Sequence, residues 1–378
     1  MILPAQMEPL EIDGSHGEGG GQILRTAVSL AALTSRAVHF SNIRAGRRVP
    51  GLAAQHLTSV RAAAALCAAK LEGDLLGSQD LIFAPQRPVQ SGAYHFDVAA
   101  ARPGGSAGAT SLVLQTVLLP LALAPGPSAI IVDGGTHNPM SPPFDYLRDV
   151  WLRTLARMGV AVELDLEAWG WYPAGQGRIR ATLQGWPRGS HLPARLSAFE
   201  LETRGALIRA HGRAVAANLP SHIAERMTTR ASTLLGRLGC PIDISAMCVE
   251  AKSAGAGLFL CAEYERCAAG FSAIGKRGRP SEEVAEEAAL GTIAFNASTA
   301  ALDAHLGDQL LLPAALADGP SRCTVHQVTR HLRTNAWVIE QFGLARVDIT
   351  ERPDGIGSVA ITPSALAYRS APRLSTEG

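Results

Sequence analysis

Residues 21–35 read GQILRTAVSLAALTS, and the fold turns on the return of this design at 109–124 (ATSLVLQTVLLPLALA) and at 307–317 (GDQLLLPAALA). Each time a glycine-bearing turn leads into an apolar run long enough for a helix. A short strand-like run follows each one: VHFSNIR at 38–44, AIIVD at 129–133 and RCTVHQV at 322–328. A second helix comes next, at 51–69, 144–158 and 331–342. In the first of these, Leu52, Gln55, Val60, Ala64 and Cys67 form a loose stripe. Two further strands close each unit, at 70–75 with 80–83, at 161–167 with 178–183, and at 346–350 with 358–361. An opening strand, at 10–13 and at 94–98, precedes the first two units only. The expectation is an α/β fold in which a βαβαββ unit is used three times.

About 100 residues between the second and third units do not fit that spacing. They carry strand-like alternation at 206–217, a helix at 222–238, and strands at 241–247 and 257–264. The predicted organisation is therefore two units within 1–186, an inserted domain at 187–281, the third unit at 282–366 and a loose tail at 367–378. The helix at 282–298 is expected to lead back into the third unit.

Composition narrows the function. Hydrophobic residues are 47% and charged residues 18% of the chain, with 38 Gly and 23 Pro, as expected of a compact, turn-rich α/β protein. With 34 basic against 33 acidic residues there is no global field to hold a long nucleic acid, so any RNA contact must be local. The six cysteines never form a CxxC pair and read as reduced thiols. The first ten residues lack a basic start followed by an apolar run, which points to the cytoplasm. The most apolar stretch, 111–124, is short of the roughly 20 residues that span a bilayer, so no membrane partner is expected.

Four segments could carry chemistry. At Gly17-Glu18-Gly19-Gly20-Gly21-Gln22, bare amides at a helix start suit an anion, and Glu18 there suggests Mg²⁺ between carboxylate and phosphate; an exposed Glu in a glycine-rich turn is the alternative. No GxxxxGK[ST] run exists, which excludes an ordinary P-loop. The run 44–51 (RAGRRVPG) gathers Arg44, Arg47 and Arg48 near Arg25, with Gln55 and His56 following. Guanidinium forks suit phosphate oxygens and Gln55 suits a sugar hydroxyl, though a solvated basic loop has the same sequence. Gly104–Thr110 leads into a helix whose strongly polar member is Gln115, suited to a base edge or to capping neighbouring backbone. Finally, His331 opens a helix between Arg330 and Arg333, downstream of Asp303-Ala304-His305-Leu306-Gly307-Asp308-Gln309. That setting would hold a phosphate against a neutral imidazole, although a lone histidine at a helix start is more often a cap or a surface residue.

Taken together, these strings resemble the RNA 3'-terminal phosphate cyclase family from about residue 10 to 361. The matching strings are DGSHGEGGGQILR (13–25), IRAGRRVPGLAAQHL (43–57), GSAGATSLVLQT (105–116), HLGDQLLLPAAL (305–316) and TRHLRTN (329–335). The resemblance implies three βαβαββ repeats similar to the C-terminal domain of a translation initiation factor, plus a small inserted domain of thioredoxin-like topology. It implies that His331 attacks the α-phosphate of ATP, and that the AMP then passes to an RNA 3'-phosphate end, which closes to a 2',3'-cyclic phosphate. It further implies that Glu18 holds a divalent cation, Mg²⁺ or Mn²⁺, that Gln115, His305, Leu306, Gly307, Asp308 and Gln309 line the ATP site, and that Arg25, Arg44, Arg47 and Gln55 hold phosphates or the RNA terminus.

Two departures stand out. His305 occupies a position where the family commonly has Tyr as an aromatic lid on adenine, which offers less stacking area. WGWYPAGQG at 169–177 departs from a family signature that begins with His or Arg and ends in three glycines; a structural hairpin is expected there. Two rivals remain at this level. One is a non-catalytic, ribosome-assembly relative, which lacks the nucleophilic histidine; the other is an enolpyruvyl transferase of similar architecture, which leaves His331 and Gln115 without a role.

Overall fold

The computed structural model describes residues 8–101, 106–186 and 196–365. Gly104, Gly105, the first part of the expected inserted domain and the tail from 367 lie outside the described residues. The first unit runs β1 (Leu10–Asp13), α1 (Gly21–Thr34), β2 (Val38–Ser41), α2 (Ala54–Cys67), β3 (Lys70–Glu72) and β4 (Leu81–Ala84). The second runs β5 (Ala93–Asp97), α3 (Thr110–Leu123), β6 (Ser128–Gly134), α4 (Phe144–Tyr146), a π-helical turn at Leu147–Trp151, α5 (Leu152–Arg157), β7 (Val162–Ala168) and β8 (Gly177–Leu183). The helix expected at 144–158 is thus one helical path widened in the middle.

After the second unit come β9 (Glu200–Leu201), β10 (Leu207–Ala217), α6 (His222–Leu235), β11 (Ile242–Val249), β12 (Gly255–Tyr264), β13 (Ala268–Ile274) and α7 (Ser281–Ala297). The chain ends with α8 (Leu306–Ala315), β14 (Ser321–Val325), α9 (Arg330–Gln341), β15 (Ala345–Glu351) and β16 (Gly357–Pro363). Three sheets share one design, with orders β1-β2-β4-β3, β5-β6-β8-β7 and β9-β14-β16-β15. In each, the first two strands are parallel and the other pairs antiparallel. The parallel pair requires a crossover, which α1 and α3 supply in the first two sheets. The fourth sheet, β11-β10-β12-β13, keeps its first strand inside rather than at the edge.

Two boundaries differ from the sequence reading. The third sheet does have an opening strand, β9, whose Leu201 pairs in parallel with Cys323, although residue 200 was assigned to the inserted domain. A two-residue strand shows no periodicity by which to find it. Helix α7, which the spacing places with the third unit, instead packs Val284, Ala285, Ala288 and Ala289 with Ala214 and Leu258 of the fourth sheet and Met227 of α6. Strand β13 was not expected at all, because its small residues (AAGFSAI) hide the alternation.

The main core lies between the helices and the first three sheets. Strands β6 and β8 alternate buried and half-buried residues, with one face on the helices. Helix α3 is buried along its whole length except at Gln115 and Leu123, as befits a central apolar helix. Helix α1 packs against α2, α3 and α9, which brings the starts of the first and third units together.

The segment containing β10–β13 leaves and rejoins the rest of the molecule at one place. Arg204 donates from Nη2 to the carbonyls of Asn296 (2.7 Å) and Ser298 (2.5 Å), with its other terminal nitrogen on the carbonyl of Ala300. The 169–177 hairpin abuts this segment: Trp171 packs with Val215, Ala217 and Phe259, and Trp169 and Trp171 stack on the buried ring of His137. Among the described residues, no helix is long and apolar enough to cross a membrane.

Candidate active site

Between β1 and α1 the chain passes through Gly17 and Gly19, both with left-handed backbone at φ +59° and +58°. A side chain at Gly17 would put its Cβ 2.6 Å from Thr334 Oγ1, so the loop lies directly on α9. Thr334 Oγ1 accepts the Glu18 N–H at 3.1 Å. Deeper in, Thr26 Oγ1 donates to Asn335 Oδ1 at 2.8 Å, and Asn335 Nδ2 donates to the Asp308 carbonyl at 3.0 Å. Thr26, Thr334 and Asn335 are all buried, and a satisfied buried polar chain of this kind fixes α1, α8 and α9 in one arrangement.

His331 is the second residue of α9, whose start is set by Thr329 Oγ1 accepting the Leu332 N–H at 3.0 Å. Its Nδ1 stands 3.3 Å from Glu18 Oε2. Both atoms are sealed from solvent and neither has a hydrogen-bond partner. The side chain as a whole is 44% exposed, so the open edge of the ring is the one bearing Nε2. Burial draws the His331 pKa below its ordinary value; Glu18 opposes the shift, while Arg25, His305 and Arg47 add to it.

The arginines surround this pair. Arg47 donates to the carbonyls of Glu18 (3.0 Å) and Gly19 (3.4 Å) and forms an ion pair with Glu18 Oε1. Arg44, with φ 54°, donates to the Gly51 carbonyl at 2.6 Å and so holds its own loop closed. Arg25 Nη2 donates to Gln22 Oε1 at 2.7 Å. Burial lowers the Arg25 pKa to about 10, against Glu18 and Asp308, so the guanidinium stays charged at neutral pH. Arg48 lies exposed on the loop. On α2, Gln55 Oε1 accepts the Ala109 N–H at 3.4 Å, joining the arginine loop to the start of α3.

On the far side, Gln115 Nε2 donates to Gln309 Oε1 at 2.8 Å and links α3 to α8. Asp303 Oδ1 accepts the N–H groups of His305 and Leu306, both at 2.9 Å, and the Tyr146 hydroxyl at 2.9 Å, which sets the start of α8. His305 is exposed there. Asp308 is buried; burial and then Asp303 push its pKa well up, with Arg25 opposing and Glu18 adding. The side chains grouped with this pocket by sequence do not all reach it. Leu306 is wholly buried in the main core, and a Cβ on Gly307 would meet Val325 Cγ1 at 2.4 Å. At both positions only main-chain atoms can face a ligand, because α8 turns this side of its first turn onto β14.

Glu18 fits a divalent cation through its buried, unpartnered Oε2, a hard oxygen donor. Among the described residues, no group of three or more His, Cys, Asp or Glu side chains could enclose a metal. Most of the ligands to such a cation must therefore come from phosphate oxygens and water, the manner in which Mg²⁺ is commonly held.

A profile of the family described as RNA 3'-terminal phosphate cyclase matches residues 16–349, a span that includes both Glu18 and His331. The chain belongs to the RNA 3'-terminal phosphate cyclase family. Among proteins named RNA 3'-terminal phosphate cyclase, that of Methylococcus capsulatus is 56% identical over 94% of this chain and 97% of its own length. That of Gloeothece citriformis is 48% identical over 90% and 95%. That of Archaeoglobus fulgidus is 41% identical over 88% and 95%. A solved enolpyruvyl transferase, NikO from Streptomyces tendae, aligns with a TM-score of 0.33 at 11% identity over 94% of this chain and 48% of that one, too slight a likeness to bear on fold or function.

Within this cyclase family member, Thr26, Asp303, Thr334 and Asn335 hold the site together; the last three lie inside strings that the sequence picks out, but none of the four has a role of its own there. For Thr26, Thr334 and Asn335 a partner that gives the role is distant in sequence: Thr26 and Asn335 are 309 residues apart.

Proposed function

We propose that this chain is an ATP-dependent RNA 3'-phosphate cyclase that works through AMP carried on His331. The observation that carries the reading is the 3.3 Å approach of His331 Nδ1 to Glu18 Oε2, which buries one ring nitrogen and leaves Nε2 as the accessible nucleophile. First, the Nε2 lone pair attacks the α-phosphorus of ATP, the bond to the pyrophosphate oxygen breaks, and pyrophosphate leaves with the electron pair. The depressed pKa of His331 keeps that lone pair free at neutral pH. Next, an oxygen of the RNA 3'-phosphate attacks the same phosphorus and Nε2 departs, restoring His331. The neighbouring 2'-hydroxyl then attacks the RNA phosphorus, loses its proton and expels AMP, giving the 2',3'-cyclic phosphate. Without the AMP step, a phosphate monoester would have no adequate leaving group.

Arg25, Arg44 and Arg47 are assigned to phosphate oxygens and Gln55 to the terminal ribose. Gln115 and Gln309 are assigned to the adenine edge, with His305 stacking on its face and Asp308 close by. Glu18 would hold Mg²⁺ or Mn²⁺, which neutralises charge building on the ATP phosphates when bound. Arg47, paired with Glu18 here, would then be released to bind phosphate. A non-catalytic relative would have no use for this Glu18–His331 pairing.

The same reading extends to the fold. Three sheets of one order support three βαβαββ repeats like those of the initiation-factor domain, with β9 opening the third repeat and 207–297 as an inserted unit of thioredoxin-like topology. We assign the protein to the cytoplasm with its RNA substrates.

The test is incubation with α-labelled ATP and Mg²⁺ or Mn²⁺, followed by denaturing gel electrophoresis and acid treatment. An acid-labile label that is lost in His331→Ala is expected; equal labelling of His331→Ala would overturn the assignment.

A further inference from the structure

His56 has no part in the scheme above, yet it packs beside Arg25 at the start of α1. It sits on the first turn of α2 and is only 5% exposed. Its Nδ1 accepts the Ala53 N–H at 3.2 Å. An accepting Nδ1 fixes the tautomer of a neutral ring, so the proton is on Nε2. Burial, reinforced by Arg25, Arg44 and Arg47, pulls the pKa of His56 down to about 3, so the ring is neutral at any working pH. Among the described residues, Nε2–H has no hydrogen-bond partner. It points at the start of α1: a Cβ on Gly21 would lie 2.2 Å from His56 Nε2 and 2.8 Å from Arg25 Nη1. Two donors thus converge on the start of a helix with no side-chain N-cap, and only a glycine at position 21 lets the His56 ring come so close to it.

We propose that His56 is a positioning and binding residue of the cyclase reaction, donating an uncharged hydrogen bond from Nε2 to an oxygen of the RNA 3'-phosphate held between Arg25 and the start of α1. This rests on the cyclase reading. The chemistry has a reason to favour a neutral donor here. The terminal phosphate must itself attack the adenylate, and a further cation would tie up the negative charge that makes it nucleophilic. A neutral N–H orients one oxygen while leaving most of that charge in place.

Two substitutions separate this role from simple support of α2. In His56→Gln the amide nitrogen falls near the place of Nε2 and keeps the donor but not the cap on Ala53. In His56→Asn the amide oxygen falls near the place of Nδ1 and keeps the cap but lacks the reach. The wild type and both variants are charged with labelled AMP, and transfer to an RNA 3'-phosphate oligonucleotide is followed in single turnover across RNA concentrations. The expected result is that His56→Gln retains transfer within about fivefold, while His56→Asn loses about 10- to 100-fold, in the scale of a lost hydrogen bond to a charged group, with the loss concentrated in RNA binding. Transfer by His56→Asn equal to or faster than that by His56→Gln overturns the proposal. Failure of the wild type to charge or to transfer would instead overturn the cyclase reading, and the two failures are distinct.

Discussion

Thr334 Oγ1 receives the Glu18 backbone N–H at 3.1 Å, joining residues 316 positions apart and bringing the glycine loop to the helix that carries His331. Replacing Thr334 with Val keeps the shape and removes the acceptor. An amide left without its partner costs about 1–3 kcal/mol, and a shift of the loop should slow His331 adenylation about tenfold. Thr334→Ser should keep both stability and rate near wild type. Thermal melts together with AMP-labelling rates check this, and a Val variant with wild-type labelling would show that the contact does not position Glu18.

The His331 pKa lies below the ordinary 6.5, chiefly through burial, and protonation removes the nucleophilic lone pair. The midpoint of the acid-side fall in self-adenylation should therefore lie below pH 6.5. A pH profile of the labelling rate in buffers of fixed ionic strength tests the sign. A midpoint above pH 6.5 would mean that Glu18 outweighs desolvation.

Gln115 and Gln309 meet at 2.8 Å across α3 and α8. If the pair reads the adenine edge, Gln309→Ala should raise KM for ATP about three- to tenfold with little change in kcat for labelling, the pattern of lost uniform binding. GTP, whose edge presents a different set of donors and acceptors, should lose less than ATP does. Equal losses for both nucleotides would remove the pair from base recognition.

Glu263 on β12 takes Arg153 of α5 at 2.6 Å and Arg209 at 2.9 Å, and with these partners its pKa falls from 4.5 to about 2. Because the folded pKa is depressed, the stabilisation is complete above about 4.5 and is lost as pH falls towards about 2. Glu263→Gln should therefore lower Tm at pH 7 by a few degrees. With half-exposed arginines the effect is about 1 kcal/mol after solvent screening, and the gap to wild type should narrow by pH 3 on its way to closing near the folded pKa. A gap that persists unchanged at pH 3 would exclude the ion pairs as its cause.

Much of the fold was legible because its strands and helices are periodic. Strand β1 was bounded at 10–13 from sequence, and the structure has Leu10–Asp13. What escaped had no period to read: β9 is two residues long, β13 is made of small residues, and α7 has an apolar face whose partner sheet cannot be inferred from spacing alone. In the site, Glu18 and His331 could be named from their local strings, since glycine-rich loops and basic-flanked histidines have recognisable chemistry. Thr334 and Asn335 could not, because a threonine or asparagine in a helix acquires its role from whatever lies across from it. Leu306 and Gly307 were carried along with their neighbours, and only the rotation of α8 separates them from Asp308 and Gln309.

Arg204 clasps the backbone at Asn296, Ser298 and Ala300, so the chain departs for the β10–β13 segment and returns within the span of one guanidinium. A detour whose two ends already touch adds little loop-closure entropy to the host, whatever its length. The roughly ninety residues between are still bound to their host, since Cys261, Tyr264 and Ala269 lie in the main core and the Gly270 N–H donates to Asp303 Oδ2 at 3.2 Å. The clasp thus keeps the two ends of the detour together, while β13 fastens its middle to Asp303, the residue that sets the start of α8.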